Sequence, residues 1–236
     1  MDIGADAPDN EHVQLNVAGR EIALKIVYYG PPLSGKTSNI QALFRGLNPR
    51  LVGNLTTLNT VEDRTVFFDL LPVTLDDNAG YCVKLKLYTV PGQVVHAATR
   101  RLVLSGADGV VFVADSQLSE SKANNEYWHG MRRYMRENGI DPATVPTVIQ
   151  FNKRDLPNIR SDAELDVVRK NGPEPLFTAV AIQGEGVQET LRALLLAMFK
   201  NLETRYELAS KLKVSSEAFM AAVFANGQAR RDGGTR

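Results

Sequence analysis

The stretch that decides the fold is GPPLSGKT, residues 30–37, which matches the pattern G-x-x-x-x-G-K-[ST]. Positions 22–29 before it are rich in apolar and β-branched residues, and helix-forming residues follow it to about Phe44. These flanks predict a buried strand that enters the loop and a helix that leaves it. Such a loop wraps a phosphate with backbone N–H groups, and the helix N-terminus adds a partial positive charge. The motif and its flanks therefore predict a phosphate-binding loop, or P-loop.

The residue types in this loop fit the phosphates of a nucleotide and a magnesium ion. The Lys36 ammonium can reach the β- and γ-phosphates, and the Thr37 hydroxyl can ligate Mg²⁺. Pro31 and Pro32 have no backbone N–H, so the backbone donors must come from residues 33–37. The predicted nucleotide contacts of this segment are Gly30, Leu33, Ser34, Gly35, Lys36, Thr37 and Ser38.

After the P-loop and its helix, strand patterns alternate with helical patterns along the chain. Residues 64–75 and 81–90 predict a hairpin, because a turn rich in Asp, Asn and Gly joins two strand-like runs. Further helices are predicted at about 95–104, 119–137, 162–170 and from 187 onward, and strands at 109–114, 147–152 and 176–181. This order predicts a three-layer α/β domain, in which helices cover both faces of a mostly parallel sheet with one antiparallel edge hairpin.

The length of 236 residues predicts one such domain with added ends. We expect a flexible arm at residues 1–20, with a short strand near 12–17, before the α/β domain at 21–202. Apolar residues at helical spacing continue beyond the domain, so residues 203–236 predict a helical extension with a disordered basic end.

Composition argues against several classes of protein. Lys plus Arg equals Asp plus Glu at 27 each, which argues against a dedicated nucleic-acid-binding protein. The single cysteine, Cys82, rules out an intrachain disulfide. No stretch approaches the roughly 20 apolar residues of a membrane span, and the N-terminal residues lack the pattern of a signal peptide. We therefore expect a cytoplasmic protein without a stable membrane anchor.

A second motif, NKRD at residues 152–155, follows a predicted strand and bears on the choice of base. The Asp155 carboxylate can accept from the ring N–H and the exocyclic amine of guanine, a donor pair that adenine lacks. Lys153 can lay its stem against the base, and Asn152 can tie this loop to the P-loop. The backbone N–H of Ala181 is a candidate donor to the guanine carbonyl oxygen, although residues 181–186 also fit an ordinary loop. A P-loop kinase or ATPase remains the alternative that these motifs leave open.

The segment TVPGQ, residues 89–93, ends the predicted hairpin where a GTPase usually has Asp-x-x-Gly-Gln. The Gly92 amide can sense the γ-phosphate, and Gln93 can orient the attacking water. Thr89 replaces the usual aspartate, so the hold on Mg²⁺ must be weaker or come from another acid. Asp69 is one candidate for that acid, and it fits a purely structural role equally well.

Residues 55–65 are polar and rich in threonine, which predicts a mobile loop whose threonine closes on Mg²⁺. Thr60 and Thr65 are the candidates, and Thr65 is the one that we place in the metal site. Arg64 beside it is a candidate arginine finger supplied by the same chain, a group worth about 10³- to 10⁵-fold in turnover. A surface salt bridge is the alternative role for Arg64.

Five segments together resemble the bacterial MglA-type small Ras-like GTPases, the switches of cell polarity and gliding motility. The resemblance spans about residues 21–200 and rests on KIVYYGPPLSGKTSN, EDRTVFFDLLP, LYTVPGQ, GVVFVADSQ and NKRDLPN. It implies a Ras-like fold that binds GTP and GDP with Mg²⁺ and hydrolyses GTP very slowly by itself. In that family the arginine finger is Arg64 of the D-R-T step, the water-positioning glutamine is Gln93, and residues 64–72 shift between states.

The resemblance also implies partners: a homodimeric roadblock/LC7-type activator that inserts no arginine, and effector proteins that read the switch loops. Transient association with a membrane or a cell pole is compatible with it. Three features depart from the family pattern: Pro32 in place of a common glycine, a longer N-terminal arm, and the tail after about residue 203. A nucleotide-dependent scaffold that does not hydrolyse GTP is therefore the alternative, favoured by Pro32 and Thr89 and opposed by Gln93 and Arg64.

Overall fold

The structure is a computed structural model that describes residues 14–16, 21–47, 52–59, 64–70, 73–74, 82–90, 97–206 and 216–224. Its strands are β1 (Gln14–Asn16), β2 (Glu21–Tyr29), β3 (Val52–Asn59), β4 (Arg64–Leu70), β5 (Val73–Thr74), β6 (Cys82–Thr89), β7 (Gly109–Asp115), β8 (Thr147–Asn152) and β9 (Leu176–Thr178). Its helices are α1 (Lys36–Gly46), α2 (Ala97–Leu104), α3 (Ser121–Glu137), α4 (Asp162–Asn171), α5 (Val187–Tyr206) and α6 (Ser216–Phe224).

One sheet runs through the described residues in the order β3-β4-β6-β2-β7-β8-β9. The strands from β6 to β9 in this order are parallel, and β4 and β3 continue the sheet as antiparallel strands at one edge. β1 pairs antiparallel with β2, and β5 with β6. The predicted three-layer α/β class with a mostly parallel sheet is confirmed.

Two apolar cores lie on the two faces of the sheet, as the alternation along β2 shows. Leu24, Ile26 and Tyr28 pack with α1, α5 and α6, whereas Val27 and Tyr29 pack with α2, α3 and α4. Because the second half of β2 is buried on both faces, residues 26–29 form a continuous apolar run rather than an alternation of apolar and polar residues. The P-loop therefore begins directly after one of the most buried strands of the domain.

Two predictions about loops are wrong in part. Val52–Asn59 forms β3 and pairs with β4, so residues 55–59 of the segment that we expected to be a mobile loop belong to an edge strand. Threonine is polar but β-branched, so the same residues that indicated a loop also suit a strand. The predicted last strand ends at Thr178 instead of 181, because Val180 and Glu185 exchange both backbone hydrogen bonds in a tight turn.

The C-terminal extension is part of the domain core in its described portion. α5 continues to Tyr206, and α6 places Met220 and Val223, each 2% exposed, in the same apolar cluster as α5. Most of the predicted arm at 1–20 lies outside the described residues, as does the predicted disordered basic end with Arg230, Arg231 and Arg236. Within the described part of the chain, no helix is long and apolar enough to cross a membrane.

Candidate nucleotide site

The P-loop is shaped by two glycines that leave no room for a side chain. A Cβ on Gly30 would lie 2.1 Å from the carbonyl oxygen of Val113, and one on Gly35 would lie 2.1 Å from Nδ2 of Asn152. Gly35 also has a φ of 99°, in the left-handed region that favours glycine. The loop is thus pressed against β7 on one side and against the NKRD loop on the other.

Lys36 holds the loop in its curved form. Its ammonium donates to the carbonyl oxygens of Gly30 at 3.0 Å and Pro31 at 2.7 Å, and the residue is 7% exposed. Both acceptors belong to the loop itself, so the positive charge lies inside the curve where a phosphate group would be bound. The predicted role of Lys36 in binding the β- and γ-phosphates is compatible with this position.

The start of α1 offers backbone donors next to this charge. α1 has no side-chain cap, and Asn39 is the first residue whose N–H bonds back along the helix, to Gly35 O at 3.0 Å. The N–H groups of residues 36–38 precede that bond and lie in the first turn of the helix, where N–H groups are oriented toward its N-terminal end. The Ser34 N–H instead points at Pro31 O over a long 3.4 Å, and Leu33 has a φ of 59° with an 88% exposed side chain.

Asn152 joins the P-loop, the NKRD loop and the loop after β9. Its side-chain Nδ2 donates to Ser34 O at 2.8 Å, which confirms the predicted tie between the two motifs. Its Oδ1 accepts from the Ala181 N–H at 2.9 Å. The Ala181 amide, expected to donate to the guanine carbonyl, is therefore already engaged here, and a bound base would have to share its proton. That contact stays a prediction.

Lys153 is fixed by an aspartate that the sequence interpretation missed. The Lys153 ammonium forms an ion pair with Asp115, whose side chain is 4% exposed and lies at the end of β7. The Asp115 side chain also accepts from the Gln117 N–H at 3.0 Å. The side chain of Asn124 bonds the backbone of Asp115 twice: it accepts from the Asp115 N–H and donates to the Asp115 carbonyl oxygen. The position of Asp115 directly after the strand predicted at 109–114 was the signal that could have found it. Asp155, the predicted base reader, lies on the exposed side of the same loop.

A buried polar network supports these loops from behind, and it too was missed. Gln150 donates through Nε2 to Asn39 Oδ1 and to Thr190 Oγ1, both at 3.0 Å. Asn39 in turn donates to Gly35 O at 3.0 Å, and Thr190 donates to Gly186 O at 2.6 Å. This network fixes α1, β8 and α5 relative to one another, and with them the P-loop and the two loops on the base side.

On the γ-phosphate side, the structure places only some of the predicted residues. Arg64 and Thr65 begin β4, which pairs antiparallel with β6, so they lie at the same edge of the sheet as the end of β6 and the P-loop. Their side chains, together with Thr60, Gly92 and Gln93, lie outside the described residues. Asp69 pairs with Lys86, three positions back from Thr89 along β6. At about 3.4 Å per residue, that register does not favour Asp69 as the acid that Thr89 replaces.

The residues present fit a nucleotide with Mg²⁺. Lys36 and the N-terminus of α1 complement the charge of phosphates, and half-buried Thr37 provides a hydroxyl ligand in the first turn. Within the described residues, no three His, Cys, Asp or Glu side chains cluster in a way that could hold a metal ion.

A P-loop tied by Asn152 to an NKxD loop, on a sheet of this topology, defines a small guanine-nucleotide-binding protein of the Ras-like class. A scan of the chain against models of known protein families finds no match. The chain is 46% identical over 180 residues to the mutual gliding-motility protein MglA of Myxococcus xanthus, and the match covers 76% of this chain and 92% of that protein. The chain therefore belongs to the MglA family of small Ras-like GTPases, which sets aside the kinase or ATPase alternative.

Proposed function

We propose that this protein is a molecular switch that binds GDP and GTP with Mg²⁺ and hydrolyses GTP slowly. The observation that carries the proposal is the bridge by Asn152, which links the phosphate-binding loop to the base-reading loop through a buried side chain. Such a bridge fixes the distance between the two loops. A fixed distance is required if one loop is to bind the phosphates and the other the base of the same nucleotide. Asp155 would read guanine, and Lys36 with the first turn of α1 would bind the phosphates.

The γ-phosphate would be sensed by the Gly92 amide and by the segment that holds Thr60 and Thr65. Gln93 would orient the attacking water, and Arg64 would stabilise the charge that develops on the transferred phosphoryl group. Thr37 and Thr65 would ligate Mg²⁺, which supplies electrostatic stabilisation of the phosphate oxygens when it is bound. Support comes from β4, whose first residues lie at the P-loop edge of the sheet.

The relative from Myxococcus xanthus is named for mutual gliding motility, and we propose an equivalent role in bacterial motility or cell polarity. The switch would act by ordering its loops for effector proteins, and a roadblock/LC7-type partner would accelerate hydrolysis. Transient association with a membrane or a cell pole would then depend on those partners. Balanced charge supports a protein partner over a nucleic acid.

Base recognition is tested by calorimetry with the Mg²⁺ complexes of GTP, ITP and ATP. ITP lacks the exocyclic amine, so the wild type should bind GTP about 10- to 100-fold more tightly than ITP and reject ATP more strongly. Asp155→Ala should bring GTP and ITP to similar affinities. Asp141→Ala, on an exposed turn before β8, should leave the preference for GTP over ITP intact. A clear preference of the wild type for ATP would refute guanine recognition.

Hydrolysis is tested by single-turnover assays with and without a roadblock-type partner. Arg64→Ala and Gln93→Leu should each reduce the stimulated rate by at least about 100-fold while the affinity for GDP changes little. An absence of wild-type turnover under both conditions would contradict the enzyme and support the non-hydrolysing scaffold. That second candidate is favoured by buried Thr89, which places a hydroxyl where a carboxylate usually supports Mg²⁺.

A further inference from the structure

A buried arginine on α2 has no role in the site described so far. Arg100 is 6% exposed, which is unusual for a residue type that is almost never fully buried unless it is paired. α2 begins at Ala97, four residues after Gln93 in the sequence. The buried residues of α2 are Arg100, Val103 and Leu104, so Arg100 is the first buried residue of this helix after Gln93 in the sequence.

Two tyrosines surround the guanidinium group of Arg100. It lies over the ring of Tyr127, with its central carbon 5.3 Å from the ring centroid, and it hydrogen-bonds the hydroxyl of Tyr29. The Tyr29 and Tyr127 rings are 6.2 Å apart at an angle of 51°. Burial raises the pKa of Tyr29, an effect that the charge of Arg100 partly opposes, so the phenol stays neutral and accepts the bond from the guanidinium.

The position of Tyr29 gives this cluster a direct connection to the phosphate site. Tyr29 is 1% exposed, is the last residue of β2 and directly precedes Gly30, the first residue of the P-loop. Tyr127 lies on α3, which packs against the same face of the sheet. Arg100 therefore joins three elements: α2, the strand that carries the P-loop, and α3.

We propose that Arg100 is a positioning residue for GTP hydrolysis: it fixes the N-terminal half of α2, the helix that follows Gln93 in the sequence, against the P-loop strand. The inference rests on the proposed function, in which Gln93 orients the attacking water. A planar guanidinium suits this task, because it can stack on one aromatic ring and donate in its own plane to another. Displacement of a catalytic group by about 1 Å can cost 100-fold in rate, so a modest shift of α2 is sufficient.

The chain provides a matched control in the next residue. Arg101 is on the same helix, but its side chain is 54% exposed and bonds to Asn138 and Glu137 on the surface. Arg100→Gln should lower the single-turnover rate of GTP hydrolysis by at least about tenfold and leave the Kd for GDP within about threefold of wild type. Arg101→Gln should change neither quantity.

Three further tests separate positioning from general stability. In the GDP-bound protein, hydrogen exchange of the amides in residues 97–104 should accelerate in Arg100→Gln, with residues 187–204 of α5 unchanged. The hydroxyl of Tyr29 is removed without loss of the ring in Tyr29→Phe, and the rate effects of this change and of Arg100→Gln should be less than additive. Arg100→Lys, which keeps the charge but loses the planar group, should recover only part of the rate.

Each possible result supports or overturns the proposal. An unchanged rate in a folded Arg100→Gln, equal losses of rate and GDP affinity, or additive effects with Tyr29→Phe would overturn it. If the wild type itself shows no turnover, the proposed hydrolytic function fails, and the exchange measurement still tests the anchoring of α2. Faster exchange confined to α2 would then support the anchor, and unchanged exchange would refute it.

Discussion

The two sides of the nucleotide site are built in different ways. On the base side, buried side chains bond the loops directly: Asn152 links Ser34 and Ala181, and Gln150 links Asn39 and Thr190. The strands there pair in uniform parallel register from β2 through β7 and β8 to β9. The loops on the base side are therefore held in one geometry, because a shift of any one of them would break several buried hydrogen bonds.

On the hairpin side, the strand register is interrupted twice. Phe67 lies opposite Tyr88 of β6, and Val73 lies opposite Val83 of β6. The two pairs are thus six residues apart on the hairpin strand but only five residues apart on β6. One extra residue is therefore accommodated on the hairpin strand before β5, and β3 also shifts register against β4 between Val52 and Leu55.

A register is easiest to change where it is already irregular. A slip of one residue moves a strand by about 3.3 Å and turns its side chains to the other face. The site therefore combines loops that buried hydrogen bonds hold in one geometry with a hairpin whose register is irregular. The expected shift of residues 64–72 between states stays a prediction, and the irregular register is the feature that agrees with it.

The largest effect should come from the fixed side, at Lys36. Its ammonium lies inside the P-loop, where it donates two buried hydrogen bonds to carbonyl oxygens of the loop. Lys36→Ala therefore removes the positive charge at the position proposed for the phosphates. Affinity for GDP should fall about 1,000-fold, or ~4 kcal/mol, the loss expected when the ammonium no longer donates charge-assisted hydrogen bonds to the phosphate oxygens of bound GDP. Calorimetry measures the loss, with Lys122→Ala on the exposed face of α3 as control. A loss below tenfold would show that the loop backbone, and not the lysine, provides most of the phosphate binding.

The next effect tests whether α6 supports the hairpin side. Met220 is 2% exposed, and α6 contacts both α5 and the β5 strand of the hairpin. Met220→Asp buries a carboxylate among apolar side chains and should lower the free energy of unfolding by ~3 kcal/mol. Urea denaturation measures the change. Leu196→Asp, at a 44% exposed position on α5, should cost far less, and an equal cost at both positions would contradict a docked α6.

A smaller effect is expected at the bridge on the base side. Asn152→Asp removes the donor to Ser34 O but keeps an oxygen that can accept from Ala181 N–H. A carboxylate facing a carbonyl oxygen should reduce the free energy of unfolding by ~2 kcal/mol and weaken GDP binding. Asn125→Asp, on the exposed face of α3, is the matched control. Unchanged stability and affinity would show that the tie between the two loops is dispensable.

Sequence reasoning succeeded where local chemistry and position agree. GPPLSGKT and NKRD each combine a distinctive set of residues with a strand before them, so the P-loop, its helix and the tie by Asn152 were predictable. The buried strands were found because apolar runs of that length have few alternatives in an α/β pattern. The parallel order of the sheet followed from the alternation of strands and helices.

Sequence reasoning failed where a residue's partner lies far away in the chain. Gln150 and Asn39 are 111 positions apart, and nothing local in either position indicates that they meet. Asp115 and Lys153 are likewise 38 positions apart. β3 was missed because threonines serve both loops and edge strands, and only the pairing with β4 decides between the two.

The smallest expected effect is a change in Tm that comes from the exposed N-terminus of α4, beyond the NKRD loop. Glu164 accepts from the Ser161 N–H at 2.7 Å and the Ser161 hydroxyl at 2.8 Å, and these bonds hold its pKa below the ordinary 4.5. A lowered pKa means that the ionised form stabilises the fold, so this contribution is complete above the ordinary pKa and is lost as the pH falls through the lowered one. Glu164→Gln should therefore lower Tm slightly at pH 7, and the difference from wild type should shrink toward pH 4. A difference that stays constant over this range would mean that the carboxylate charge contributes nothing to the cap, and that the capping bonds act through geometry alone.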